Sequence, residues 1–507
     1  MDPLISIVRN WSVLGGAQVI SSLITVAVMV IVSRTLGDVE FGRLFLALTL
    51  ATIFGVFVDF GLSQVVTRVV AREPAEAGPY LRKGALVVGG LGAGLYLGLL
   101  GFTQVLGYTQ EVHSLALILG LLIVVEGFSQ LLGAFFQAHE RMLVPAIARM
   151  AGNAITLALV VPLLLRGYGA AAVAIVMVLA AGLRVLIQAG ALRRLRGFQM
   201  RAPAPPSWRG LLAAGFPFLV AQGLGILVIR IDVIILGLIA SEATVGWYGA
   251  ASRVVEAFNF VPLMLTMAVF PVASRLWVSA PAEFQATVRK TLRLVLIVTV
   301  PAAVTLFVLA DDIIGFLFTL ASFGPAVPIL RIQAISLALV YVDYLLVCIL
   351  MAVGRERTWI AIVAASCLLN PALNWVLIPA ADAAYANGAV GAALAKLGTE
   401  VFFLVCTLRA LPTGIFGAES ARFAVGSAAL GALLGLALFA TRAVGVPWML
   451  AAVVAGSGYL AVAVRLGLMP PDITSWVVGA FLRRRPARTE QAAGDLGSER
   501  SPSADAA

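Results

Sequence analysis

The chain has 507 residues, 61% of them hydrophobic and 12% charged, with a mean hydropathy of +1.03 and a formal net charge of +10. A surface that faces water carries about 25% charged residues. Half that share excludes a soluble globular protein, and with it nucleic acid as the partner that the basic excess would otherwise suggest. What remains is an all-α polytopic membrane protein whose basic residues mark topology and meet anionic lipid.

The first apolar run, WSVLGGAQVISSLITVAVMVIV, is 22 residues long. It exceeds a signal-peptide core and no small-residue cleavage site follows, so a retained first span is expected. About fourteen spans are expected in all: 11–33, 42–64, 84–106, 113–137, 143–165, 168–190, 211–239, 246–273, 291–310, 328–352, 358–379, 387–408, 421–440 and 447–465. Each is long enough to cross about 30 Å of hydrocarbon at 1.5 Å per residue.

The loops fix the expected orientation. With the N-terminus cytoplasmic, twenty-five of the 35 Lys and Arg residues fall in cytoplasmic segments, five fall outside and five lie within spans. That bias is the positive-inside signature, with both termini cytoplasmic. The longest connection, ALRRLRGFQMRAPAPPSWRG at 191–210, is basic and Pro-rich and separates two halves. The end, RRRPARTEQAAGDLGSERSPSADAA, has the composition of a disordered tail. DITSWVVGAFL before it suits the membrane interface, with Trp476 and Phe481 as anchors. The expected organisation is an N-lobe at 1–207 (spans one to six and the linker) and a C-lobe at 208–410 (spans seven to twelve). The last two spans and the interfacial segment occupy 411–482, and the tail 483–507.

An internal repeat supports the two halves. Glu140-Arg141 recurs as Glu356-Arg357, Asn153 with Pro162 as Asn370 with Pro379, and Leu192-Arg193 as Leu408-Arg409, all at offsets of 216 or 217. VEFGR at 39–43 and TVGWY at 244–248 extend the match weakly. Six spans separate the copies, so the lobes are parallel repeats about an axis along the membrane normal.

Gly90, Gly94 and Gly98 in span three, and Gly431 and Gly435 in span thirteen, have the spacing of close helix packing. No G-x-x-x-x-G-K-[ST] loop is present, so ATP hydrolysis by this chain is not expected. Cys348, Cys367 and Cys406 sit in apolar runs without metal-ligand spacing, and His113 and His139 are isolated. No cofactor or metal is expected. Prolines such as Pro217, Pro271, Pro301 and Pro371 lie within spans and can bend them.

Charges inside the spans carry the functional expectation: Asp59, Glu126, Arg149, Arg184, Arg230, Asp232, Arg253, Glu256, Asp343, Lys396 and Glu400. Each costs roughly 2.5–3.5 kcal/mol at a span centre, so they must face one another or a wet cavity. Arg184 is expected to snorkel to the cytoplasmic surface. Arg253 with Glu256, and Lys396 with Glu400, can pair within one helix. Arg230 and Asp232, two residues apart, point in opposite directions and cannot pair with each other. Arg230 is therefore expected to face a cavity and Asp232 to hold span seven against another helix.

The stretches VSRTLGDVEFGRLFLALTL, RIDVIILGLIASEATVGWYGAASRVVE and NPALNWVLIPAADAAYANGAVGAALA resemble the oligosaccharide flippases of polysaccharide biosynthesis, in the multidrug/oligosaccharidyl-lipid/polysaccharide exporter superfamily. The resemblance spans about residues 5–465. It implies two six-helix lobes around a central cavity, two extra C-terminal helices, and no enzymatic activity. It also implies translocation of an undecaprenyl-pyrophosphate-linked oligosaccharide across the bacterial inner membrane by alternating access. Polysaccharide polymerase and chain-length proteins are the implied partners, beside the lipid-linked oligosaccharide and membrane lipids. Basic cavity residues are implied to meet the pyrophosphate. By position these are Arg230, with Arg149, Arg253 and Lys396 as further candidates. Asp232, Asp59, Glu126, Glu256, Asp343 and Glu400 are the acidic candidates for cavity charge or coupling. A lipid II flippase or a drug/cation antiporter of the same superfamily is the nearest alternative. A polysaccharide polymerase or ligase fits less well, since the outer connections are short.

Overall fold

A computed structural model describes residues 3–74, 77–194 and 207–468. The expected interfacial segment, the tail and most of the 191–210 linker lie outside the described residues.

Helix α1 (Pro3–Asp59) runs for 57 residues and breaks at Gly37, whose φ of 78° and ψ of 179° are open to a residue without Cβ. A second break at Phe60 and Gly61, both with positive φ, leads into α2 (Leu62–Arg72). Leu62, Val65, Val66 and Val70 of α2 are buried at helical spacing, so this helix lies with one face on the bundle. Then come α3 (Ala77–Val105), α4 (Gln110–Leu119), α5 (Leu121–Ala138), α6 (Leu143–Leu165) and α7 (Ala170–Arg193).

The second half opens with α8 (Trp208–Ile239), whose N-cap Ser207 accepts from the Gly210 amide at 3.0 Å. It continues through α9 (Glu242–Glu256), α10 (Phe260–Ser279), α11 (Pro281–Val308), the short α12 (Ala310–Leu317) and α13 (Leu320–Phe323), α14 (Ala326–Ala352), α15 (Glu356–Tyr385) and α16 (Gly388–Ala410). α17 (Ala418–Ala443) and α18 (Trp448–Arg465) complete the described chain.

Among the described residues, twelve helices are long and apolar enough to cross a membrane, with Ile24–Arg72 counted as one. This differs from the expected fourteen at two places. Spans one and two are fused because helical hydrogen bonding resumes beyond Gly37. Expected span eight is divided at Ala257–Asn259 into α9, of 15 residues, and α10, of 20, neither of which is among the twelve.

The repeated motifs occupy equivalent helix pairs. Asn153 and Pro162 lie in α6, which packs on α7, and Asn370 and Pro379 lie in α15, which packs on α16. The weak extension of the repeat, VEFGR with TVGWY, is a physical contact. A Cβ on Gly42 would collide with the Glu242 carbonyl oxygen, and one on Gly246 with that of Asp38. Asp38 precedes Gly42 by four residues, as Glu242 precedes Gly246, so α1 and α9 cross backbone to backbone through matching glycines. Phe45 then packs in the space that Gly249 leaves.

Gly431 and Gly435 seat α17 against Val300, Val304 and Val308 of α11, as their spacing predicts. The same expectation fails in α3: nothing stands within 4 Å of a Cβ on Gly90 or Gly94, and only Phe54 approaches Gly98. α3 packs instead through Gly84 and Gly92, against Leu131 and Val124. α17 is also fastened by charge. Asp311 receives Arg331 at 2.7 Å and Arg442 at 3.2 Å, and Arg442 reaches Asp312 at 3.3 Å.

Candidate functional site

Two adjoining cavities, each of about 330 Å³, open between α1 and the helices around it. They share Thr25, Met29, Asn153 and Arg184. That volume lies at the small end of the range for ligand pockets. The first is lined by α1, α5, α6 and α7, with Glu126 and Gln130 among its polar groups. The second carries most of the charge: Arg149 from α6, Arg184 from α7, and Arg253 and Glu256 from α9.

Local structure explains how these groups are held. Asn153 donates to the Ser21 carbonyl and hydroxyl at 3.2 and 2.7 Å and to Thr25 Oγ1 at 3.2 Å, which fixes α6 on α1 beside the cavity. Gly152 makes room for Arg184: a Cβ there would stand 2.8 Å from Arg184 Cγ. The Arg184 guanidinium pairs with Glu126 across the first cavity. The expected snorkelling is therefore overturned. Arg184 turns inward because a carboxylate and a glycine-sized gap wait for it.

Glu256 is the hub of the α8–α9 charges. Arg230 Nη1 reaches its Oε1 at 2.6 Å and Arg253 Nη1 its Oε2 at 3.0 Å. A carboxylate in the last turn of α9 meets the negative end of the helix dipole, and two guanidiniums offset that cost. Arg253 also stacks over Phe45 at 5.2 Å, and its buried Nε has no hydrogen-bond partner among the described residues. The Arg253–Glu256 pair matches the expectation. Arg230 does not line either cavity; it spends its charge on Glu256, which corrects its reading as an open cavity cation.

Asp232 is 1% exposed and accepts from the Tyr248 hydroxyl and, at 2.8 Å, from the Val233 amide. It thus turns away from Arg230 and ties α8 to α9. Asp59 lines neither of the two cavities. Its carboxylate accepts from Ser63, bridging the break between α1 and α2. Asp343 on α14 and Lys396 and Glu400 on α16 line neither cavity. The Asp343 carboxyl is buried against that of Glu400, close enough for the two to share a hydrogen bond. Lys396 stands within electrostatic reach of both Glu256 and Glu400 but forms no salt bridge to either among the described residues.

Sequence reasoning missed two contributors. Tyr248 is completely enclosed, and only its spacing on α9 connects it to Asp232. Gly152 carries its signal in being the residue before Asn153 of the repeated motif.

Known proteins place this architecture. The family described as polysaccharide biosynthesis protein matches residues 7–277. No curated protein matches the chain. Among solved structures, the lipid II flippase MurJ in an inward closed conformation superposes with a TM-score of 0.65 at 15% identity, covering 89% of this chain and 99% of that one. An inward-facing multidrug resistance MATE family transporter of the MOP superfamily gives a TM-score of 0.63 at 14% identity, covering 77% and 94%. A MOP superfamily transporter from Pyrococcus furiosus, described by the reversed polarity of its binding pocket, gives 0.54 at 15% identity, covering 78% and 93%. The fold is thus that of the MOP transporters, and since the family match takes in more than half of its residues, the chain belongs to the polysaccharide biosynthesis protein family.

Proposed function

We propose that the protein is a non-enzymatic flippase that moves an undecaprenyl-pyrophosphate-linked oligosaccharide from the cytoplasmic to the outer leaflet of a bacterial inner membrane, with both termini cytoplasmic. The observation that carries this reading is the second cavity, where Arg149, Arg184 and Arg253 converge with Glu256, the only carboxylate on the wall among the described residues. Guanidiniums stay charged and present forked donors that suit phosphate oxygens. A cation antiporter would want the opposite sign there. Family membership supports the oligosaccharide, and the partners would be the polymerase and chain-length proteins of the same assembly.

In this reading α1 counts as two spans and α9–α10 as one, which makes fourteen. Residues 1–207 and 208–410 are parallel lobes that rock about the cavity, and 411–482 adds the outer pair and an interfacial helix before the tail at 483–507. Arg149 and Arg253 take the pyrophosphate, and Arg230 holds Glu256 in place beside it. Asp343 remains a candidate coupling group.

A strain lacking its native oligosaccharide flippase tests this. Arg149→Gln with Arg253→Gln should reach the membrane at normal levels yet lower polysaccharide export at least tenfold, each lost charge-assisted bond being worth roughly 1.5–3 kcal/mol. Full export by the double variant would remove the binding role. The second reading, transport of lipid II, draws on the likeness to MurJ. Rescue of a strain depleted of its lipid II flippase, without rescue of polysaccharide export, would select it.

A further inference from the structure

A groove of about 450 Å³ lies on the outside of the α5–α6–α7 group and shares no lining residue with the two cavities. Its floor is built: Phe136, Val144 and Ala191 belong to a small apolar cluster, centred on Leu132, Phe136 and Leu192, that is separate from the main core. Leu186, 69% exposed, forms a wall with Ile187. Gly190 keeps the groove open, with nothing within 4 Å of where a Cβ would stand.

Two guanidiniums border this apolar surface. Arg141 follows the end of α5, and Arg194 caps the end of α7. Both are exposed, and neither has an acidic partner among the described residues. Glu140, the neighbour of Arg141, is not part of the lining and pairs with neither arginine. Unpaired arginines at helix ends beside a lipid-facing slot are the arrangement that suits the head group of an acidic lipid.

We propose that this groove is a binding site for an anionic phospholipid, with its phosphate between Arg141 and Arg194 and an acyl chain along Val144, Leu186 and Ile187. A zwitterionic lipid would bring an ammonium group, and among the described residues no carboxylate lines the groove to receive it. A polyprenyl pyrophosphate shares the phosphate chemistry, but the groove shares no lining residue with the cavity assigned to the transported lipid.

The full chain in nanodiscs of equal phosphatidylglycerol and phosphatidylcholine is the test, with retained lipid read by native mass spectrometry after release into detergent. The wild type should retain phosphatidylglycerol in preference to phosphatidylcholine. Arg141→Gln with Arg194→Gln should weaken that retention about 25-fold, roughly fivefold for each arginine near the surface. Gly190→Leu keeps both charges but fills the slot, and it should also lower retention. Equal retention of the two phospholipids by the wild type, or undiminished retention by both variants, would overturn the proposal. So would displacement of phosphatidylglycerol by an equimolar amount of undecaprenyl pyrophosphate, which would give the groove to the transported lipid.

Discussion

Glu256 decides what the arginines around it are free to do. It satisfies Arg230 on α8 and Arg253 on its own helix, at 2.6 and 3.0 Å, and so neutralises one of the two positive charges that face it. Removing one partner from a largely enclosed pair costs more than removing both, because the remaining charge loses its solvation without recompense. Glu256→Gln should therefore destabilise the protein by roughly 3 kcal/mol, and adding Arg230→Gln should recover part of the loss. Thermal unfolding of the purified variants in one detergent checks the order. A double variant less stable than Glu256→Gln would show that Arg230 holds the fold by some other contact. The charges themselves were legible in the sequence, as was the divergence of Arg230 from Asp232. So was the pairing of Arg253 with Glu256, but the partner of Arg230 was not: Glu256 lies 26 residues beyond it, across a helix turn whose geometry no periodicity specifies. Arg184 was misread for the same reason, since Glu126 and the gap at Gly152 come from other helices.

Among the elements, apolar length was the reliable signal and the breaks were not. Gly37 interrupts α1 without an accompanying proline, and α9 ends at Glu256 within an otherwise apolar stretch. Small residues at four-residue spacing were ambiguous in the same way: those of α17 meet α11, while those of α3 face open space, because spacing defines a face and not what covers it. The most constrained crossing is that of α1 with α9 at Gly42 and Gly246, where Arg43 pairs with Glu242 and the Trp247 indole donates to Asp38 at 2.9 Å. A side chain at either glycine must push the helices apart, at roughly 1–3 kcal/mol. Gly246→Leu should open this end. In a background with the three native cysteines replaced, a thiol at Thr25 on the cavity wall should react faster with a hydrophilic maleimide than in the Gly246 parent. An unchanged rate would mean that this crossing does not seal the cavity.

At the level of the whole molecule, the stretch of chain from the break at Gly37 to the break at Phe60 and Gly61 touches the second half of the chain near both of its ends. At one end is the Gly42–Gly246 crossing, reinforced by Arg34 donating to the Leu317 carbonyl at 2.8 Å. At the other, a Cβ on Gly61 would collide with the Gly215 carbonyl oxygen, Gly215 is packed as tightly on Phe60, and Arg68 lies over the Phe218 ring at 5.4 Å. The charged cavity lies between these two contacts. The lipid-linked sugar proposed as substrate is too large to pass either crossing while its glycines touch, so under that proposal a transport cycle parts them in turn. The repeat and the charge bias led to the expectation of two parallel halves, yet nothing in the sequence says that both ends meet at once, because each contact depends on backbones approaching from distant helices. Two cysteine pairs separate the ends: Arg43→Cys with Glu242→Cys, and Arg68→Cys with Phe218→Cys. Joined by a short bis-maleimide, either pair should abolish transport, while the same pairs carrying a single blocking group on each thiol should retain much of it. The two cross-linked forms should also trap the cavity open toward opposite leaflets, so that a thiol at Thr25 reacts from one side in the first and from the other side in the second. Transport that continues in fully cross-linked protein at either end would show that the end in question never opens.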